Sequence, residues 1–265
     1  MNRYEVLREL GLTPLWRRRG QGVVAAAPAV PVAPAPAPVA MLARDAAVEL
    51  PADAAAANTL ARAARIAALE WKDFAADVAA CTACELCKTR QRTVPGVGDT
   101  RAEWLFVGEA PGAEEDAKGE PFVGQAGRLL DNMLAALGMS RERSVYIANV
   151  LKCRPPGNRA PTPLETESCR VYLDRQIGLI RPRLIVALGR SAATTLLNTD
   201  ATIASMRGRV HRYGALPLIV TYHPAYLLRN LPDKAKAWED LCLARATMRR
   251  LQAEAGLQGA AAAPN

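Results

Sequence analysis

No stretch of the 265 residues is long and apolar enough to span a bilayer, although half of them are hydrophobic. No membrane-spanning helix is therefore expected. The first residues include Asn2, Arg3, Glu5 and Arg8 and lack the apolar core of a secretory signal, so a cytoplasmic location is expected. Cysteine is also scarce. Cys81, Cys84, Cys87, Cys153, Cys169 and Cys242 are too sparse for a disulfide scaffold, which leaves metal ligation or buried thiols. What is abundant is positive charge: the formal net charge is +8 and the isoelectric point about 9.4. Such a balance favours a polyanionic partner, nucleic acid first.

The length allows one sizeable domain plus appendages. Residues 1–55 are expected to be an appendage: a short helix over Met1–Gly22 with Tyr4, Leu7, Leu10 and Leu12 loosely on one side, then an Ala/Pro/Val linker unable to pack a core. A domain over 56–250 and a disordered Ala-rich tail over 251–265 complete the expected organisation. Asn58 is placed as the cap of one helix over Thr59–Ala80 that delivers the chain to Cys81.

From Trp104 onward strands and helices alternate. Trp104–Val107, Val145–Val150, Leu184–Gly189, Gly208–Tyr213 and Leu216–Tyr222 read as strands. Gly124–Leu137, Leu164–Ile180, Ser191–Leu197 and Ala235–Leu251 read as helices. The pattern predicts one α/β domain with a mainly parallel sheet. Lys152–Pro163, with four prolines and no periodicity, is expected to be a loop.

The stretch WLFVGEAPGAEEDAKGEPFVG, Trp104 to Gly124, organises the remainder. Its apolar run ends in a sharp Gly/Pro turn at the carboxyl end of a strand, where α/β sheets place their chemistry. Phe122, an aromatic in a glycine-flanked polar loop, offers a stacking surface or a core anchor. Asn149 lies inside an apolar strand and must find partners, either backbone groups or the edge of a base. His223 follows the last apolar run and precedes Pro224. It either caps the next turn or donates to an oxygen that becomes anionic as a bond breaks. His211, among Arg207, Arg209 and Arg212, reads as surface, while Arg229 and Asn230 fall near His223.

Cys81 and Cys84 are spaced for chelation, with Cys153 and Cys169 as distant partners. Zinc and a [4Fe–4S] cluster both accept four cysteines, and the spacing does not choose between them. Cys87 is placed outside this set and Cys242 as a buried thiol on a helix. Lys88, Arg90 and Arg92 put positive charge beside the cysteines, free to meet phosphate or solvent.

With these parts in order, the chain from about Cys81 to Ala246 resembles the family 4 uracil-DNA glycosylases. The motifs that carry the resemblance are CTACELC, VPGVGD, GEAPGAEED, GEPFVGQAGRLL, YIANVLKCRPPGNRAP and HPAYLLRN. The resemblance implies an α/β/α sandwich and a structural [4Fe–4S] cluster on Cys81, Cys84, Cys153 and Cys169. It further implies Phe122 stacking on uracil, Asn149 reading its O4 and N3 edge, His223 steadying charge on O2, and Glu109 near the sugar and water. Ala110 stands where better-known uracil glycosylase families carry an aspartate, which argues against their scheme of water activation. Tyr226 and Arg229 belong to the segment that would meet DNA. No histidine lies between Lys152 and Cys169, unlike a related branch that traps its product, so a turnover enzyme is implied. The expected partner is uracil-containing DNA, the expected state a monomer, with a protein contact for the appendage. The competing readings are a non-catalytic nucleic-acid-binding module with an iron–sulfur or zinc centre, and a redox protein built on the CxxC.

Overall fold

A computed structural model of the chain describes residues 52–261. The helix expected over Met1–Gly22 and its linker lie outside these residues. The described residues all belong to one compact unit.

Six strands form one sheet: β1 (Val97–Gly98), β2 (Trp104–Gly108), β3 (Val145–Asn149), β4 (Leu184–Leu188), β5 (Val210–Tyr213) and β6 (Leu216–Thr221), in the order β1-β3-β2-β4-β6-β5. The four inner strands are parallel, and the edge strands β1 and β5 are antiparallel. β2, β3 and β4 are buried along their whole length, as unbroken apolar runs are when helices cover both faces.

Among the described residues there are nine α-helices: α1 (Ala52–Ala67), α2 (Trp71–Ala80), α3 (Ala113–Lys118), α4 (Gln125–Ala136), α5 (Pro163–Ile180), α6 (Arg190–Leu197), α7 (Ile203–Met206), α8 (Pro224–Arg229) and α9 (Asp233–Ala261). Alternation along each strand divides the core between two layers. Leu105, Val107, Ile185, Ala187 and Leu218 pack with Leu173 and Ile177 of α5 and Ala192 and Leu196 of α6. Trp104, Phe106, Val186 and Ile219 pack with Leu130 and Leu134 of α4 and Leu241 and Met248 of α9. The result is the three-layer α/β/α sandwich.

Three local expectations are corrected. The helix assigned to Thr59–Ala80 is two helices, and Asn58 lies inside α1 instead of capping it. The break at Ala68–Glu70 is held because Arg175 donates from Nε to the freed Leu69 carbonyl at 2.6 Å. The loop after β2 contains a helical turn, α3. The closing helix does not stop at Leu251 but continues to Ala261, through a segment expected to be disordered; Ala, Gln, Glu and Leu there are strong helix formers.

α9 is fastened to the β5 side by a buried ion pair. Asp240, fully buried, accepts from Arg207 Nε at 2.9 Å and from Gly208 N at 3.1 Å. Asp240→Ala would leave the covered guanidinium with only the more distant Glu239 carboxylate, 3.9 Å away, and should lower the unfolding free energy by about 3 kcal/mol in urea. A loss under about 1 kcal/mol would show that α9 is held by its apolar face alone.

Candidate active site

A cavity of about 460 Å³ opens at the carboxyl ends of β2, β3 and β6, with Glu109, Ala110, Phe122, Asn149 and His223 in its walls. Tyr226 and Arg229 of α8 line it as well, and Pro155, Asn158 and Arg159 supply a further side. Every residue expected to touch base, sugar or DNA is therefore brought to one place. Parallel pairing explains part of this convergence: Gly108 at the end of β2 sits opposite Asn149 at the end of β3.

Asn149 is 2 % exposed, and its Oδ1 has no hydrogen-bond partner. An orphaned buried amide oxygen costs about 1–3 kcal/mol, so it marks a place where a donor is expected from outside. The backbone beneath it is firmly held. Lys152, also buried, donates from Nζ to the Asn149 carbonyl at 2.7 Å and to Gln176 Oε1 at 2.5 Å. Burial pulls the Lys152 ammonium down to about 8.

Phe122 is the strained member. Its φ of +56° is rare for an aromatic residue. The turn is fixed from both sides: Arg141 donates from Nη1 to the Pro121 carbonyl at 2.8 Å and from Nη2 to the Phe122 carbonyl. Glu115 accepts from Val123 N at 3.0 Å and, through its other oxygen, from Gly112 N at 3.1 Å, so one carboxylate buckles the two ends of the loop. Gly127 lets the Phe122 carbonyl approach α4, because a Cβ there would stand 1.7 Å from that oxygen. The Phe122 ring lies 5.5 Å from the His223 ring at 29°.

His223 caps α8: Ala225 N donates to its Nδ1 at 3.1 Å. Nδ1 is thus an acceptor, and the neutral ring carries its proton on Nε2. Although the residue is partly exposed, packing strips water from the imidazole and, with the Arg229 charge nearby, lowers its pKa to about 4. The site holds a neutral histidine at neutral pH. Gly189, at φ +91°, makes room for it, since a Cβ there would be 2.8 Å from His223 Cβ. Glu109 is half-buried, and desolvation raises its pKa against the opposing hydrogen bond from Ser191.

A second, smaller cavity of about 20 Å³ is lined by Cys81, Cys84, Cys153 and Cys169. Cys87 faces it too, closer to the set than the sequence suggested. All six cysteines are free, and Cys242 is half-buried instead of buried. Among the described residues no three His, Cys, Asp or Glu side chains form a site for a single metal ion. The donors around the sulfurs suit thiolates: Arg62 Nη2 to Cys81 Sγ at 3.4 Å, Arg90 Nη1 to Cys153 Sγ at 3.1 Å, and Lys152 N to Cys169 Sγ at 3.2 Å. Soft ligands from three separate segments, met by N–H donors, fit an iron–sulfur group.

Arg90 therefore turns inward and is not a surface cation, and Lys88 pairs with Glu85 at 2.7 Å. His211, expected at the surface, is half-buried, with its Nε2 against the Met206 carbonyl at 2.6 Å. Sequence reasoning also missed Glu115, Arg141, Lys152 and Arg159. Only Glu115 had a local signal, a glutamate at the third helical position after Gly112. Arg159 is held by Glu165 through bonds of 2.8 and 2.6 Å.

An α/β/α sandwich with a buried amide, an aromatic plate and a neutral histidine around one cavity defines a base-binding nucleic-acid enzyme. The model of the Uracil DNA glycosylase superfamily matches residues 95–242. The chain is 52% identical over 164 residues to the type-4 uracil-DNA glycosylase of Archaeoglobus fulgidus, spanning 59% of this chain and 82% of that protein. For the type-4 enzyme of Thermotoga maritima the identity is 46% over 158 residues, with the same two coverages of 59% and 82%. A type-5 uracil-DNA glycosylase of Pyrobaculum aerophilum is 35% identical over 155 residues, 52% of this chain and 68% of that protein. The chain belongs to the uracil-DNA glycosylase superfamily, and within it to family 4.

Two outcomes follow from the geometry. Gly127→Ala should displace the Phe122 turn, lowering excision at least about tenfold and stability by about 1–3 kcal/mol; unchanged activity would show that the turn tolerates the shift. Because the folded pKa of His223 is below its ordinary 6.5, the unfolded chain takes up a proton first. His223 should therefore erode stability as pH falls from 6.5 toward about 4. His223→Gln should flatten that part of the urea-midpoint curve, and identical curves would contradict the shift.

Proposed function

We propose that the protein hydrolyses the N-glycosidic bond between uracil and deoxyribose in DNA, leaving an abasic site for repair. The observation that carries this reading is the orphaned Asn149 Oδ1 in a cavity that also holds Phe122 and a neutral His223. Uracil N3–H supplies the donor that Oδ1 lacks, and the amide NH₂ donates to O4. Cytosine offers an unprotonated N3 and an amino group instead, so each partner meets its like.

The base leaves the stack and enters the cavity, with Phe122 against its ring. The C1′–N1 bond then breaks with its electron pair passing to N1, and charge spreads onto O2. His223 Nε2–H donates a hydrogen bond to that oxygen and keeps its proton, so the base leaves as the stabilised anion. Water adds to the sugar cation beside Glu109, which takes up its proton, and the uracilate is protonated from solvent. Ala110 supplies no carboxylate, which supports loosening of the bond before water attacks. Tyr226 and Arg229 line the cavity as well and are suited to hold the DNA backbone.

Cys81, Cys84, Cys153 and Cys169 would hold a [4Fe–4S] cluster. Bound there, it supplies a covalent staple among segments distant in sequence and takes no part in bond cleavage. Cysteines too sparse for a disulfide scaffold, on a basic chain, support a cytoplasmic location, and no described helix is long and apolar enough to cross a membrane. A cavity furnished by one chain supports action as a monomer. We assign the segment around Tyr4, Leu7, Leu10 and Leu12 to contact with another protein.

Asn149→Ala should lower kcat/KM on uracil-containing DNA about 10- to 100-fold, the worth of a paired base contact, while leaving DNA affinity at fixed salt nearly unchanged. Equal losses in both would sink the base-reading role. Cys81→Ser should reduce bound iron, and full iron retention would remove Cys81 from the ligand set.

A further inference from the structure

Uracil excision gives no role to the guanidinium groups that face the cysteine cavity. Arg62 stands on α1, outside the segment matched by the superfamily model. Besides its bond to Cys81 Sγ, it donates from Nη1 to the Ser168 carbonyl at 3.0 Å, and its guanidinium lies 5.2 Å from the centre of the Tyr172 ring. Ser168 and Tyr172 flank Cys169 on α5, so a single side chain links the turn carrying Cys81 to the helix carrying Cys169. Arg90 repeats the arrangement, with Nη1 on Cys153 Sγ and Nη2 on the Ala79 carbonyl at 2.7 Å.

α1 is fixed where it can hold Arg62 in place. Its Ile66 is fully buried with Phe74, Val78 and Tyr172, and Arg65 pairs with Asp77, which also accepts from the Tyr172 hydroxyl at 2.6 Å. Two partly buried guanidiniums aimed at sulfur are favourable when the sulfurs carry negative charge, as cluster thiolates do, and gain little from neutral thiols. Donors to the sulfurs and nearby charge also set a cluster's retention and reduction potential.

We propose that Arg62 and Arg90 form a cationic outer shell for the cluster, and that α1 is a clasp that retains it. Arg62 and Arg90 are positioning residues: they act on the cluster through the sulfurs of Cys81 and Cys153. The inference rests on the [4Fe–4S] reading above.

The test uses the full chain purified without oxygen, with R62M, R62K and R90M beside the unaltered protein. Iron and sulfide content, bleaching of the cluster absorbance by ferricyanide, and the reduction potential are measured, with circular dichroism as a control of folding. R62M and R90M should bleach about tenfold faster and shift the potential to more negative values. R62K, which keeps charge but loses the fork, should fall between and remains informative if R62M does not fold. Iron-replete variants with unaltered bleaching and potential would overturn the outer shell alone. An unaltered protein that holds no iron or sulfide would overturn the cluster reading and this inference together.

Discussion

The Asn149 amide oxygen is buried without a partner, and the surroundings of the site follow from keeping it so. It stays in place because the strand behind it cannot shift: Asn149 is in register with Gly108, and Val150 N and Leu151 N go on to donate to the Gly108 and Glu109 carbonyls at 2.9 and 3.0 Å. Lys152 secures the Asn149 carbonyl from below. An orphan worth about 1–3 kcal/mol is tolerable in a sheet whose strands β2, β3 and β4 are buried throughout, and it gives a ligand with a matching donor a preorganised partner.

The cysteine cavity and the base cavity are joined by one short length of chain. Asn149 is separated from Cys153 by three residues, and Pro155, Asn158 and Arg159 follow as a wall of the base cavity before Thr162 caps the helix that carries Cys169. Glu165, held down to about 2 by Arg159 and by the Thr162 cap, ties that wall to the start of α5. Fixing Cys153 and Cys169 would therefore fix both ends of the segment that walls the larger cavity. The cysteines and the residues of that cavity belong to one construction, and the proposed staple would bear on the site from a distance.

The inner strands and their helices were legible because burial on both faces leaves an unbroken apolar run, as at Leu184–Leu188, and because apolar residues recur at helical spacing, as at Leu130 and Leu134. Phe122, Asn149 and His223 were legible as residues out of keeping with their surroundings. Three other features were not. The break after Ala67 depends on Arg175, more than a hundred residues away, and no local propensity encodes it. Arg62, Arg90 and Arg141 carry no local signal of the sulfurs and carbonyls they meet in the folded chain. The helix through Ala261 was obscured by an Ala-rich composition that resembles a tail yet has high helix propensity.

The most direct test of the account is release of free base from paired oligonucleotides that differ only in one uracil or thymine, with iron-replete protein and at fixed salt. Release of uracil alone, leaving an abasic site, is the predicted result. No release from either strand form, with the protein still bound to DNA, would contradict it and leave a binding module in its place.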